Sequence, residues 1–467
     1  MKAGVISEEL IRFHFAKKMN YHHQFIKDSK LKAFDLEHRK KLKFNISKYE
    51  QAFQKGLDNY ENVELAKMYV SKTKQKAIDN LSELLITFEK SIASRGTHVI
   101  WAFDKNEALQ EIKKILQKHQ IEMVVKSKSM ISEELELNEF LEKLKIEPVE
   151  TDLGEFIVQY AGEKPYHILT PAMHKSKEDV AELFHQKFNI PPNQSPEQLT
   201  FFARNFLREK YTKAGAGITG ANFLVADIGA TALTENEGNG LMSVGFPKVH
   251  IVIAGIEKVI PTLNDLGKTW PVLSQFGTGQ QLTVYNSLFT GPRKEDEDDG
   301  PEFMYVILLD NGRSRLYKTN PQNEALNCIR CGACLNACPI YKNVGGHTFN
   351  TPYSGPIGSV ITPIYRGKKW DHLASACTLC GNCTEVCPAK IPLHELILYN
   401  RNLAVERKSW KSWSFAIKTF GFIASDQKKM DMLSGWMKNS IFRTIKFAWG
   451  KKRSLPTFKN VTFTKMA

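Results

Sequence analysis

All eight cysteines of this 467-residue chain fall into two copies of one spacing, Cys-x2-Cys-x2-Cys-x3-Cys-Pro. The first copy is Cys328, Cys331, Cys334 and Cys338 with Pro339; the second is Cys377, Cys380, Cys383 and Cys387 with Pro388. Two residues between ligands let a tight turn aim successive sulfurs at one point, and the free N–H groups of that turn can bond an anionic cluster. Proline after the last cysteine removes a donor and bends the chain away. This is the spacing by which thiolates hold [4Fe–4S] clusters, and in two-cluster ferredoxins the fourth cysteine of each run serves the other cluster. The expected sets are therefore Cys328, Cys331, Cys334 and Cys387 for one cluster, and Cys377, Cys380, Cys383 and Cys338 for the second. A chain holding two such clusters moves electrons.

Zinc and disulfides account for the pattern less well. Zinc sites pair Cys-x2-Cys halves and leave a third cysteine and a Cys-Pro without a role. Disulfide frameworks belong to short secreted chains, whereas this one is long and rich in lysine.

The length exceeds one ordinary core, so two or three units are expected. Apolar residues make up 42% of the chain, but apolar stretches such as Ala221–Ala226 and Val249–Ile256 are short, flanked by polar residues and unable to span a bilayer. Met1–Arg12, with Glu8 and Glu9, lacks the apolar centre of a signal peptide. The formal net charge is +14. Two oxidised cubanes with their thiolates would lower this to about +10. Basic residues gather at Arg39, Lys40, Lys41 and Lys43 and again at Lys446 and Lys451 to Arg453 without forming a nucleic-acid motif, so nucleic acid is not the expected partner. A solvated face, an acidic subunit or an anionic membrane surface suits the charge better.

The pattern is helical to about Gly96, with Leu65, Ala66, Tyr69 and Val70, then Ile78, Leu81, Leu84 and Leu85, at helix spacing. From Thr97 to Asn320 short β-rich runs alternate with helices, the mark of an α/β domain. Strands are predicted over Thr97–Phe103, Ile121–Val125, Pro148–Thr151, Phe156–Gln159, His167–Thr170, Ala221–Asp227, Ala232–Thr234, Val249–Ala254 and Met304–Asp310. Helices are predicted from Asp104, with Glu107 closing a capping box, and over Ser132–Leu144 and Ser195–Tyr211. Lys294–Asp299 reads as a solvated charged loop. Gly215, Gly217 and Gly220 form a GxGxxG that follows a helix and precedes a strand, the reverse of a dinucleotide fingerprint, and read as a turn. Residues 321–405 form a mainly helical cluster domain. Residues 406–467 are a basic tail carrying Trp410, Trp413, Phe415, Phe420, Trp436, Phe442, Phe447 and Trp449, suited to packing on the cluster domain, to a membrane surface or to a partner.

The long glycine- and proline-rich stretch between Cys338 and Cys377 resembles the helical two-cluster domains of succinate dehydrogenase iron–sulfur subunits and heterodisulfide reductases. The stretches VVKSKSMISEELELNEFL (Val124–Leu141), EPVETDLGEFIVQ (Glu147–Gln159), GANFLVADIGATALTENEGN (Gly220–Asn239), PKVHIVIAGIEKVIPTL (Pro247–Leu263) and GPRKEDEDDGPEFMYVILLDNGRS (Gly291–Ser314) resemble a LUD domain. With the two cysteine motifs after it, the chain resembles the lactate utilisation protein B family. That resemblance implies an α/β fold of the isomerase and CoA-transferase-like type, and a cytoplasmic iron–sulfur subunit relaying electrons as L-lactate is oxidised to pyruvate. It also implies a CCG-domain iron–sulfur protein and a second LUD protein as partners, with the electron acceptor unspecified; the composition of the basic tail, separately, suits peripheral contact at the inner membrane face.

Candidate ligand-binding residues in the LUD part are Lys126, Lys128 and Ser129, at a strand end and helix start where free amides favour anions. Asn138, Asp152, Glu155, Glu235, Asn236 and Glu237 would complete a polar pocket at strand ends. Ordinary surface charge competes for the lysines and a turn for Glu235–Asn239. No catalytic residue is assigned, and no flavin or nicotinamide site is recognised. His167, His174, His250, His347, His372 and His394 lack a metal spacing; His347 and Tyr353, between the cluster motifs, read as fastening a glycine-rich loop to the cluster domain or, alternatively, as shaping the path to a partner. Two other functions compete with a relay: a ligand-binding or isomerase-like LUD enzyme braced by its clusters, and an iron–sulfur sensor or scaffold.

Overall fold

The computed structural model describes residues 20–407, 411–444, 446 and 454–460. The expectation for Met1–Arg12 and those for Trp410, Phe447, Trp449 and Lys451 to Arg453 lie outside the described residues, as do the side chains of Trp413 and Phe415. The chain forms two compact units, Met1–Arg401 and Asn402–Ala467.

The first unit is built on a parallel sheet of β1 (His98–Ala102), β2 (Met123–Lys126), β3 (Glu147–Glu150), β4 (Ala216–Gly220), β7 (Val249–Gly255) and β10 (Phe303–Leu309), in the order β1-β10-β7-β4-β2-β3. Its central strands are apolar on both faces because helices cover both. Met304, Val306 and Leu308 of β10 pack with Leu85, Phe88 and Ile92 of the helix Leu81–Ala93, while Tyr305, Ile307 and Leu309 pack with Ile112 and Leu116 of the helix Lys105–Lys118 on the other side. A smaller sheet joins β5 (Phe223–Val225), β6 (Ala230–Glu235), β8 (Val259–Ile260) and β9 (Tyr285–Phe289) in the order β8-β5-β6-β9.

Several local expectations are corrected. The GxGxxG segment is no turn but β4, buried between β2 and β7. Its glycines are needed for close approach: a Cβ at Gly217 would lie 1.6 Å from the Ser243 carbonyl of the helix Asn239–Gly245. Phe156–Gln159 lies in the helix Leu153–Tyr160, started by Asp152, whose carboxylate accepts the Glu155 N–H at 3.1 Å. Such a cap outweighs the β-preference of Phe, Ile and Val. His167–Thr170 is a loop in which His167 Nδ1 accepts the Leu169 N–H at 3.1 Å. The helix expected over Ser132–Leu144 is two, Met130–Leu135 and Leu137–Lys143, parted at Glu136, which takes φ +54° and pairs with Lys105. Asp104 caps its helix, but Glu107 Oε2 accepts the N–H of Phe103 rather than that of the cap, so no capping box closes.

The lead-in helices, the sheet domain and the cysteine-bearing region share a core. Val70 and Ile78 from the lead-in, Phe223, Val272 and Phe276 from the sheet domain, and Leu335, Val360, Ile361 and Trp370 beyond it belong to one apolar cluster. That core runs across the borders expected at 96/97 and 320/321.

In the second unit, Asn439 and the segment around Phe458 bond each other: Asn439 Nδ2 donates to the Phe458 carbonyl at 2.9 Å and the Phe458 N–H returns to Asn439 Oδ1 at 2.8 Å. Phe420, Phe422 and Trp436 are exposed at 65%, 66% and 71%, too much for helices sealed by packing within this unit. Among the described residues no helix is long and apolar enough to cross a membrane.

Candidate functional site

The two cysteine runs fold alike. Arg330, between Cys328 and Cys331, takes φ +63° and its N–H donates to Cys328 Sγ at 3.4 Å; Leu379, between Cys377 and Cys380, takes φ +57° and its N–H donates to Cys377 Sγ at 3.3 Å. A left-handed residue here turns a backbone N–H toward sulfur, forming an anion-binding concavity. Gly332 and Gly381, at φ +79° and +85°, then start the short helices Ala333–Ala337 and Asn382–Glu385, which carry Cys334 and Cys383.

Cys328, Cys331 and Cys334 line one cavity together with Cys387, and Cys377, Cys380 and Cys383 line another together with Cys338. Convergent sulfurs, bordering apolar Ile168, Ile357, Ile391 and Leu393 at the first cavity, and N–H groups aimed at sulfur fit iron–sulfur clusters. The two cavities differ in access. In the first set Cys328 is half-buried and Cys331, Cys334 and Cys387 are buried; in the second Cys338 and Cys383 are buried and Cys377 is half-buried, but Cys380 is exposed.

A third cavity, of about 370 Å³, opens at the C-terminal ends of β2, β4 and β7, where ligands bind in open α/β sheets. Of the candidates, Lys128, Ser129, Asp152, Glu235, Asn236 and Glu237 line it. Lys128 Nζ donates to Asp152 Oδ2 at 2.7 Å and to the Leu169 carbonyl at 3.1 Å. Burial works against its charge, but Asp152 outweighs it and holds the ammonium above the usual lysine range. Glu235 accepts the N–H groups of Gly240 and Leu241 at 2.6 and 2.8 Å, and Glu237 accepts that of Leu153 at 3.1 Å. Burial raises both carboxyls, with nearby Asp152 adding to the effect. Asn236 pairs with Gln280 at 2.8 Å.

Lys126, Asn138 and Glu155 do not line this cavity. Register places Lys126 beside Glu150 across β2 and β3, and its Nζ donates to Glu150 Oε1 and Asn138 Oδ1, both at 2.6 Å. Glu155 is buried nearby, and neither of its oxygens has a hydrogen-bond partner among the described residues; desolvation, then Glu150, Asp152 and Glu133, push its carboxyl well above the usual range. Lys126 is no surface charge but the counter-charge of a buried acidic group.

The cavity's lining also holds a basic group, Arg313, Arg330 and Lys258, that sequence reasoning missed. Arg313 forms a two-point bridge to Glu134 at 3.0 and 2.9 Å and donates Nε to Glu257 Oε2 at 2.5 Å. Arg330 Nη2 reaches Glu257 Oε1 at 3.4 Å, and the guanidinium lies 4.6 Å from the Tyr353 ring, whose hydroxyl donates to Glu134 Oε2 at 2.6 Å. Arg313 and Arg330 outweigh the burial of Glu257 and hold its carboxyl down to about 2. Lys258 lines the cavity and makes no hydrogen bond or ion pair with a described residue; burial and Arg330 pull its ammonium down to about 8. The available signal was the repeat itself: Arg330 stands where the second copy has Leu379, so the loop alone does not require arginine there.

Residues 85–309 match the family description of the LUD domain, and residues 324–391 that of the 4Fe-4S dicluster domain. Lactate utilization protein B of Bacillus velezensis is 41% identical over 372 residues, covering 79% of this chain and 78% of its own. The Bacillus subtilis protein of that name is 42% identical over 367 residues, 78% and 76% of the two chains, and that of a Geobacillus species 39% identical over 417 residues, 88% and 85%. The chain belongs to the lactate utilization protein B family. As an iron–sulfur protein of that family it carries an α/β LUD domain followed by the cysteine region, and the strand-end cavity and both cysteine cavities are formed mainly by those matched segments.

Away from these cavities, His174 and His347 meet Glu163 with ligand atoms all within 4.8 Å of one another, although their positions along the chain follow no metal-ligand spacing. Lys175 Nζ donates to the same carboxylate at 2.6 Å, and His347 Nε2 lies 2.6 Å from the Lys164 carbonyl. His347 thus ties its loop to the LUD domain, and Tyr353 does so through Glu134.

Proposed function

We propose that this chain is the iron–sulfur relay subunit of an assembly that oxidises L-lactate to pyruvate, working with a CCG-domain iron–sulfur protein and a second LUD protein. The observation that carries the reading is the exchange of fourth cysteines between two cavities of unlike access: Cys387 joins the buried set and Cys338 the set containing exposed Cys380. When bound, [4Fe–4S] clusters accept and release single electrons. Ile168 and Arg330 line both the buried cysteine cavity and the strand-end cavity, which puts one set of ligands next to a ligand-sized space. Cys380 brings the other set to the surface, where a partner can approach. Inclusion of the cysteines in the shared core supports a second reading, in which the clusters brace the fold.

Anaerobic co-purification with the neighbouring subunits, followed by EPR with and without L-lactate, separates the readings. A relay predicts reduced-cluster signals from this chain only when lactate and partners are both present. Clusters that stay oxidised under those conditions, in a complex that still turns lactate over, would leave bracing as the account.

A further inference from the structure

Two of the cations lining the strand-end cavity, Arg330 and Lys258, keep donors without a partner among the described residues, although the lining as a whole carries acids as well as bases. Around Glu134 and Glu257 gather Arg313, Arg330, Lys258 and Lys74; Lys74 spends its ammonium on the carbonyls of Glu257 and Val259, at 2.5 and 3.4 Å. Arg313 is fully engaged. Arg330 is not: its side chain is 10% exposed, yet Nη1 is buried without a hydrogen-bond partner among the described residues. Lys258 is likewise unpaired among the described residues and faces the same space. A buried charged donor with no acceptor is costly, so Arg330 Nη1 is retained where something arrives to accept from it, and the half-buried Lys258 ammonium adds a second free donor to the same lining.

We infer that Lys258 and Arg330 form the carboxylate-binding end of a site for a short 2-hydroxy- or 2-oxo-carboxylate inside this chain's own LUD cavity. A guanidinium fork beside an ammonium suits a planar carboxylate. A phosphate site would draw on successive backbone N–H groups, but the glycine-rich segment that could have supplied them is spent in β4. The same lining offers Asp152, Glu235, Glu237 and Asn236, acceptors and donors for the hydroxyl or oxo end of a ligand. Because Arg330 stands between Cys328 and Cys331, the carboxylate would lie beside the buried cysteine set. The choice of ligand class rests on the relay reading; the site rests on the geometry.

The test is calorimetric titration of the anaerobically reconstituted full chain, without partners, with L-lactate, pyruvate and inorganic phosphate. It compares the native chain with Lys258→Gln, Arg330→Leu, which copies Leu379 at the same left-handed position, and the surface control Lys248→Gln. Reduced-state EPR and iron content are recorded alongside. The expected result is saturable binding of lactate or pyruvate that perturbs the EPR signal. Binding should weaken about 10- to 100-fold in each site variant at unchanged iron content, the effect of losing one charged hydrogen bond, and should not change in the control. Phosphate binding as tightly as the carboxylates, carboxylate binding indifferent to both site variants, or no saturable binding would overturn the site. So would variants that shift only the midpoint potential, the behaviour of cations that merely offset cluster charge. Failure of lactate to reduce the clusters in the complex would defeat the relay and leave this binding result standing.

Discussion

Lys126 is 1% exposed and holds its charge because Glu150, Asn138 and a neighbouring group of carboxyls surround it. Breaking a buried pair by removing one partner leaves an uncompensated charge and costs about 3–5 kcal/mol. Lys126→Met, which keeps much of the volume, should destabilise the chain by that amount in denaturant titrations; a loss below ~1 kcal/mol would show that Glu150 finds another way to be satisfied. Lys128, two residues on, has a different task. It is half-open to the cavity and paired with Asp152, so two lysines that look equivalent in the sequence divide between supporting the fold and lining the site. The decision is made by the β2–β3 register, which the residues of either strand alone do not reveal.

At the scale of elements, what the sequence disclosed was chemistry that is local along the chain. Thiolate spacing fixes the ligand loops, and apolar runs such as Val249–Ala254 mark buried strands; both are visible within a dozen residues. Two kinds of signal misled. The apolar Phe156, Ile157 and Val158 resemble a strand until the Asp152 cap is weighed, and the glycines of β4 resemble a turn until the helix pressing on Gly217 is known. The second is a tertiary fact, as is the convergence of Lys258, Arg313 and Arg330. Gly217→Ala tests it: the new methyl meets the Ser243 backbone, and overpacking of this kind costs about 1–3 kcal/mol or more. The variant should show a clearly lower thermal midpoint, whereas Gly245→Ala, where a Cβ meets nothing within 4 Å, should change it little. Equal effects of the two would refute the close-approach explanation.

At the scale of the molecule, the strand-end cavity and both cysteine cavities lie within the one compact unit Met1–Arg401: the first at the sheet's strand ends, one cysteine set sharing Arg330 with it, and the other reaching the surface at Cys380. One shared core joins lead-in, sheet and cysteine region, and the relay depends on the two runs exchanging their fourth ligands. The most direct measurement is iron quantitation with EPR on anaerobically reconstituted native chain and its Cys387→Ser and Cys338→Ser variants, using Cys331→Ser and Cys380→Ser to assign each cluster's signal. The account predicts about eight irons in the native chain, with Cys387→Ser perturbing the signal that Cys331→Ser perturbs and Cys338→Ser the one that Cys380→Ser perturbs. Variants that instead affect the cluster of their own run, or a chain that takes up only zinc, would contradict it.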